Sequence, residues 1–233
     1  MTQPDSQSFT GWRLPTWGCA VAAAMLCASL TACSSTDAVP AVKPELVWVD
    51  GPPSGALESD KWIRAVRDAE FALAWASNEA DFTLPEVTST WSSFSIDSFA
   101  TSVQADLLHG TPRVYLGPVP VAPVAVQVDD DGKGADVAAC VDAVEMLPSY
   151  DDGNDWPLLR YYPLELTESG ERRMARGRPP HEPFFLPDGS ELTDEYCKTL
   201  TIPRAVFDPA PDLEVLARKD RDDVLVPPLE PVG

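Results

Sequence analysis

Serine, histidine and aspartate, the set from which a nucleophilic hydrolase is built, are all present, but the two histidines sit poorly for that chemistry. His109 closes an apolar-periodic stretch beside Gly110, where a cation meets the carbonyl end of a helix, so it reads as a capping residue. His181 follows two prolines and precedes Glu182, the setting of an exposed loop. The patterns G-x-S-x-G, H-E-x-x-H and the phosphate-cradling Gly-rich loop do not occur. Two acidic runs invite calcium. In Asp129-Asp130-Asp131-Gly132 the oxygen ligands ahead of the glycine would be Gln127, Asp129 and Asp131, but Ala138 stands where a bidentate acid must close the loop, and a hairpin turn is the better reading. Asp151, Asp152 and Asp155 form a second, looser cluster. No catalytic residue, metal ligand or cofactor site is assigned from these motifs.

Cysteine chemistry is more informative. An apolar run from Trp17 to Leu30 follows a polar lead ending in Arg13, and is shorter than the roughly 18 to 20 apolar residues of a spanning helix. Directly after it stand Leu30-Thr31-Ala32-Cys33, then Ser34, Ser35 and Thr36. This resembles the lipobox of bacterial lipoprotein precursors: a Leu three before the cysteine, two small residues, then the thiol. The resemblance implies a diacylglycerol thioether on Cys33, cleavage between Ala32 and Cys33, and loss of residues 1–32, Cys19 and Cys27 included. Two acyl chains anchor stably where one is marginal, at about 0.8 kcal/mol per buried methylene. The expected address is the extracytoplasmic face of the cell membrane. Export removes cytoplasmic reductants, so the two cysteines left, Cys140 and Cys197, are expected to pair, which in the chain-entropy account is worth on the order of 4 kcal/mol. With so few cysteines and histidines, Cys-rich and His-rich zinc sites are excluded.

Loss of residues 1–32 takes away Arg13 and Asp5 and leaves the net charge at −20. Such a charge repels phosphate backbones, and no basic stripe offsets it, so nucleic acid is not an expected partner. The surface reads as a solvated acidic one. Residues 33–56, rich in Pro, Gly, Ser and Ala, read as a flexible tether, with Val47-Trp48-Val49 as a short extended piece. Residues 57–208 form the expected globular domain, and 209–233 a Pro-rich, charged, loosely packed tail.

Within the domain, Ser59 or Asp60 is placed to cap a helix carrying Trp62, Val66, Ala69, Leu73 and Ala76 at helical spacing, widened by Ile63 and Phe71. Pro85 and Glu86 open a short second helix with Val87 and Trp91; a third runs from Asp97 to His109. The period then changes. Val119 to Val128 and Val137 to Val141 alternate about the turn 129–134, and prolines 118, 120 and 123 confine the first strand to an edge or bulge. Tyr162, Leu164 and Leu166 make a further strand, a basic, Pro-rich excursion runs from Arg172 to Pro180, and 197–206 is the expected last strand.

The order of helices, then hairpin, then strands predicts an α+β domain in which amino-terminal helices pack against a curved, mainly antiparallel sheet. Trp62 to Trp75 (WIRAVRDAEFALAW), the link Gly117-Pro118-Val119-Pro120-Val121 and Ala139-Cys140-Val141-Asp142 carry a resemblance to the nuclear transport factor 2-like (cystatin-like) domains found on many actinobacterial lipoproteins, over about residues 57–206. The resemblance implies a cone-shaped fold with a pocket between helix and sheet, used for binding, for isomerase or cyclase chemistry, or for dimerisation. Isomerase-like members use a pocket carboxylate as base and Tyr or Asp as oxyanion donor, which makes Asp81, Asp142, Tyr161 and Tyr162 the candidates. Trp62, Trp75, Phe82 and Trp91 are expected in the core or pocket walls. The expected function is a non-enzymatic surface module that binds a small molecule, a cell-wall component or an envelope protein. The alternatives are a pocket enzyme of the isomerase or hydratase kind, and an accessory subunit that homodimerises through an exposed apolar sheet face.

Overall fold

A computed structural model describes residues 42–49, 51–142, 157–176, 180 and 183–228. It is α+β, with five α-helices and two antiparallel sheets among the described residues. The organising element is α1 (Lys61–Glu79). Asp60 caps it, its carboxylate accepting from the backbone N–H of Trp62 at 2.6 Å and of Ile63 at 3.4 Å, which satisfies two donors that the first turn leaves free. Helices α2 (Pro85–Thr90) and α3 (Ser93–Leu108) follow. α3 starts four residues before the expected Asp97, because the Ser92 hydroxyl accepts from the Ser95 N–H and supplies an earlier cap. His109 is its C-terminal cap and Gly110 takes a positive φ of 67°.

Strands β2 (Val121–Val128), β3 (Gly134–Val141), β4 (Leu158–Leu166) and β5 (Arg172–Met174) form a four-stranded sheet in chain order. The Asp129 to Gly134 run is its first hairpin turn, closed by Asp129 N–H to the Gly134 carbonyl at 3.0 Å. The prolines act as their missing N–H requires: β2 is an edge strand, and its register slips between Pro123 and Ala125. Residues 172–174 add an edge strand where only an excursion was expected. The expected strand over 197–206 is corrected. Asp194–Cys197 is a helical turn, α4, and only Ala205–Asp208 (β6) is extended, pairing with β1 (Glu45–Trp48) in a separate two-stranded sheet. Part of the expected tether is thus a strand.

Every residue of β3 is buried, because both of its faces are covered. On one face Val137, Ala139 and Val141, with Tyr162 and Leu164 of β4, share a core with Trp62, Ile63, Val66 and Ala69 of α1. On the other face Ala138 and Cys140 meet Phe184, Leu192, Cys197 and Ile202, and Cys140 is joined to Cys197 by a disulfide, Cα to Cα 5.2 Å. The apolar face that homodimeric sheet packing would need is therefore covered on β3. A further core joins Leu73 and Ala76 of α1 to Phe82, Val87, Ile96 and Ala100. The carboxy-terminal stretch adds Leu216, from α5 (Leu213–Ala217), and Val224 to it. Those residues are buried to 2% and 6% exposure, unlike the loose tail expected of residues 209–233.

Candidate functional site: a cleft beside the long helix

The interior between α1 and the four-stranded sheet is filled by its own side chains. Open space lies to one side, in a cleft of about 300 Å³ among α1, β1, β6 and the link 118–121. Its walls are largely apolar: Leu46, Trp48, Phe71, Val119, Val121 and Ala205, with prolines 118, 120 and 203. Backbone contacts hold the link in place. Asn78 of α1 grips Tyr115 on both sides, its amide donating to the Tyr115 carbonyl and its oxygen accepting the Tyr115 N–H, both at 2.8 Å. The Phe207 N–H donates to the Leu116 carbonyl at 2.8 Å. Gly117 passes so near β6 that a Cβ there would collide with the Ala205 carbonyl oxygen.

Four charged residues line the cleft: Lys43, Arg67, Asp68 and Glu70. The two cations are engaged. Arg67 forks onto Glu58 at 2.8 and 2.6 Å and lies over the Trp48 ring at 6.0 Å. Lys43 pairs with Glu86 at 3.3 Å and sits 5.2 Å above the centroid of Phe71. Glu70 is the unusual member, a carboxylate only 3% exposed in the apolar stripe of α1. Among the described residues its nearest cation is Arg160 of β4 at 3.7 Å, whose side chain is 43% exposed. Burial pushes the Glu70 carboxyl above the ordinary glutamate value; Arg160 and the nearby Tyr162 hydroxyl offset part of the rise. The Tyr162 phenol is held well above its ordinary value by burial first and by the Glu70 charge second; its buried hydroxyl lies beside Glu70 and Arg160 without a well-formed hydrogen bond among the described residues. Tyr115 is raised by the same two causes in the same order. Burial also raises the Asp68 carboxyl.

Of the carboxylate and phenol candidates read from the sequence, one belongs to this group. Tyr162 faces α1 beside Glu70; Tyr161, one residue earlier, points to the opposite face and stacks on Phe184 at 5.6 Å, as the strand period of two requires. Asp81 is used in a turn, accepting from the Thr83 N–H at 2.9 Å and hydroxyl at 2.6 Å. Asp142 follows β3 and donates its N–H to the Pro120 carbonyl at 3.3 Å. Trp62, Trp75 and Phe82 are core residues, and Trp91 donates its indole N–H to the Ala69 carbonyl at 2.8 Å; none lines the cleft. Ala32, Cys33, Asp151, Asp152, Asp155 and His181 lie outside the described residues.

Glu70 and Arg160 were not singled out from the sequence, although a signal existed. Glu70 stands four residues after Val66 and three before Leu73, on the stripe that the helical period assigns to the core. A carboxylate at such a position needs a partner or a purpose. Comparison with models of known protein families, with curated proteins and with solved structures finds no match.

Proposed function

We propose that this chain is a bacterial lipoprotein, anchored by lipid on Cys33 at the extracytoplasmic face of the cell membrane, whose domain is a non-enzymatic binding module with the cleft beside α1 as its ligand site. The lipobox-like run Leu30-Thr31-Ala32-Cys33 supports the address. No described helix is long and apolar enough to cross a membrane, so attachment falls to the lipid in this reading. The observation that carries the binding role is the combination of an apolar cleft of about 300 Å³ with one nearly buried carboxylate in its wall. Ligand sites have this composition: apolar walls supply affinity and a few polar groups fix orientation. The likeness to cystatin-like domains belongs to the same proposal, supported by one long helix packed on an antiparallel sheet. A pocket enzyme of the isomerase or hydratase kind is the second reading, favoured by a raised carboxyl beside a phenol, Glu70 with Tyr162.

Two measurements test the proposal. Replacing Cys33 by Ala should abolish acyl labelling and release the protein from membranes; unchanged labelling refutes the anchor. Native mass spectrometry of the protein extracted from its own envelope should show a retained small molecule that Phe71→Ala loses. A ligand retained equally by Phe71→Ala places binding elsewhere.

A further inference from the structure

The hydrogen-bonding inventory of the cleft is lopsided. Its cationic side chains already have carboxylate partners: Arg67 is forked onto Glu58, and Lys43 pairs more loosely with Glu86 at 3.3 Å. Its buried acceptor is less committed, since Glu70 lines the space and the closest cation to it among the described residues stands at 3.7 Å, longer than a charge-assisted hydrogen bond of about 2.7 to 2.9 Å. A ligand that satisfies this cleft must therefore bring donors. The walls add a second requirement, because Leu46, Val119, Val121 and three prolines offer contact to an apolar body and no hydrogen bond to a polar one. The aromatic rings add a third. Both Phe71 and Trp48 already carry a cation of the chain itself, Lys43 and Arg67, on their faces, so the rings stand where positive charge is accepted.

Resting on the reading of the cleft as a ligand site, we infer that its ligand class is a small organic amine, an ammonium group on an apolar or aromatic body, with the ammonium directed to Glu70 and the body against Phe71 and the proline-lined wall. Lys43 then occupies the place of a competitor. Its ammonium sits over the ring that the ligand would use, on a side chain 55% exposed and able to swing into solvent. The Glu70 carboxylate is attractive to a cation for the same reason that it is costly to the fold: a charge out of water gains more from a partner than one in water does. Around the Glu70 carboxyl the charged and titratable groups are Arg160 and Tyr162 from β4, Tyr115 ahead of the link, and Asp68 and Arg67 on its own helix.

The test titrates the full-length protein in a non-ionic detergent with three isosteric probes, 2-phenylethylamine, 2-phenylethanol and phenylacetate, followed by calorimetry. The amine is expected to bind at least about tenfold more tightly than the alcohol, and the acid most weakly. Glu70→Gln should reduce the amine's advantage to less than about threefold while leaving alcohol binding in place. Lys43→Met should tighten the amine severalfold and the alcohol hardly at all, a response that a structural role for Glu70 does not produce. Phe71→Ala should weaken all three. Equal binding of the three probes, sensitive to Phe71→Ala, overturns the amine assignment and leaves the cleft as the ligand site. Absence of binding by every probe, or binding indifferent to Phe71→Ala, overturns the amine assignment together with its placement in the cleft.

Discussion

Replacement of both Cys140 and Cys197 by Ala tests how the far face of the sheet is held. The disulfide joins β3 to the end of α4 across 57 positions. Opening a loop of that length restores denatured-state entropy worth about 4 kcal/mol at 25 °C in the chain-entropy account. Ala is preferable to Ser, because both cysteines are fully buried and a hydroxyl there would need a partner. What opposes the loss is the packing of Phe184, Leu192 and Ile202 against Ala122, Ala138 and Cys140, which the variant largely keeps. For a domain of 150 to 250 residues each kcal/mol moves the melting temperature by roughly 2 to 4 °C, so a fall of about 8 to 16 °C is expected in calorimetry of the oxidised protein. Limited proteolysis should then cut first within residues 183–204. A fall below about 3 °C would falsify the reasoning, since the segment would be held by its apolar contacts and the crosslink would be incidental.

Glu70→Gln should change the pH dependence of stability in a definite sense. Burial raises the Glu70 carboxyl in the folded state, so the fold binds that proton more tightly than the unfolded chain does. Below the ordinary glutamate value both states are protonated and the residue costs nothing; as pH rises through the raised folded value the ionised form is penalised in the fold alone. Wild type should lose stability across that window relative to the Gln variant, and the gap should stay constant above it. Urea midpoints across the acid-to-neutral range measure this, and parallel curves would refute the buried-charge assignment. Phe82→Ala empties a fully buried site in the core shared by α1, α2, α3 and the tail, and should cost about 3 to 5 kcal/mol in denaturant unfolding. Gly117→Ala drives a Cβ into the Ala205 carbonyl, backbone against backbone, and should cost about 1 to 3 kcal/mol while weakening any ligand of the adjoining cleft.

The helical half of the fold was legible because its signals are local. Asp60 caps the first periodic run and Pro85 marks a first turn, whereas the Ser92 cap was not read and the third helix was expected four residues late. The hairpin of β2 and β3 was legible from alternation about an acidic, Gly-containing turn. The course of residues 172–208 was not, because what fixes it is non-local. Residues 197–206 alternate as a strand would, but the Cys140 crosslink and the contacts of Phe184 and Leu192 place Cys197 at a helix end, and only Ala205–Asp208 finds an edge, that of β1. β1 itself lies in a stretch whose prolines and glycines resemble a tether, so three residues of the cleft wall, Lys43, Leu46 and Trp48, lay in a segment read as a spacer. Tyr162 was visible as a candidate, but its pairing with Glu70 needs the register of β4 on β3 and the rotation of α1 over the sheet.

The position of Glu70 bears on what the domain is for. A carboxylate in the apolar stripe of the organising helix, with its nearest cation at 3.7 Å and partly in water, destabilises the fold relative to a neutral or apolar residue of similar size. The apolar neighbours Val66, Ala69 and Leu73 gain nothing from the charge, whose partners are Arg160 and the Tyr162 phenol. A half-exposed arginine at 3.7 Å is weak compensation for that burial, and in the proposed reading the cleft that opens onto the carboxylate supplies a further reason for it. A binding site uses what the fold must otherwise offset, because a charge already removed from water meets its ligand without a further loss of hydration. On this argument the energetic defect of the helix and the composition of the cleft have one cause.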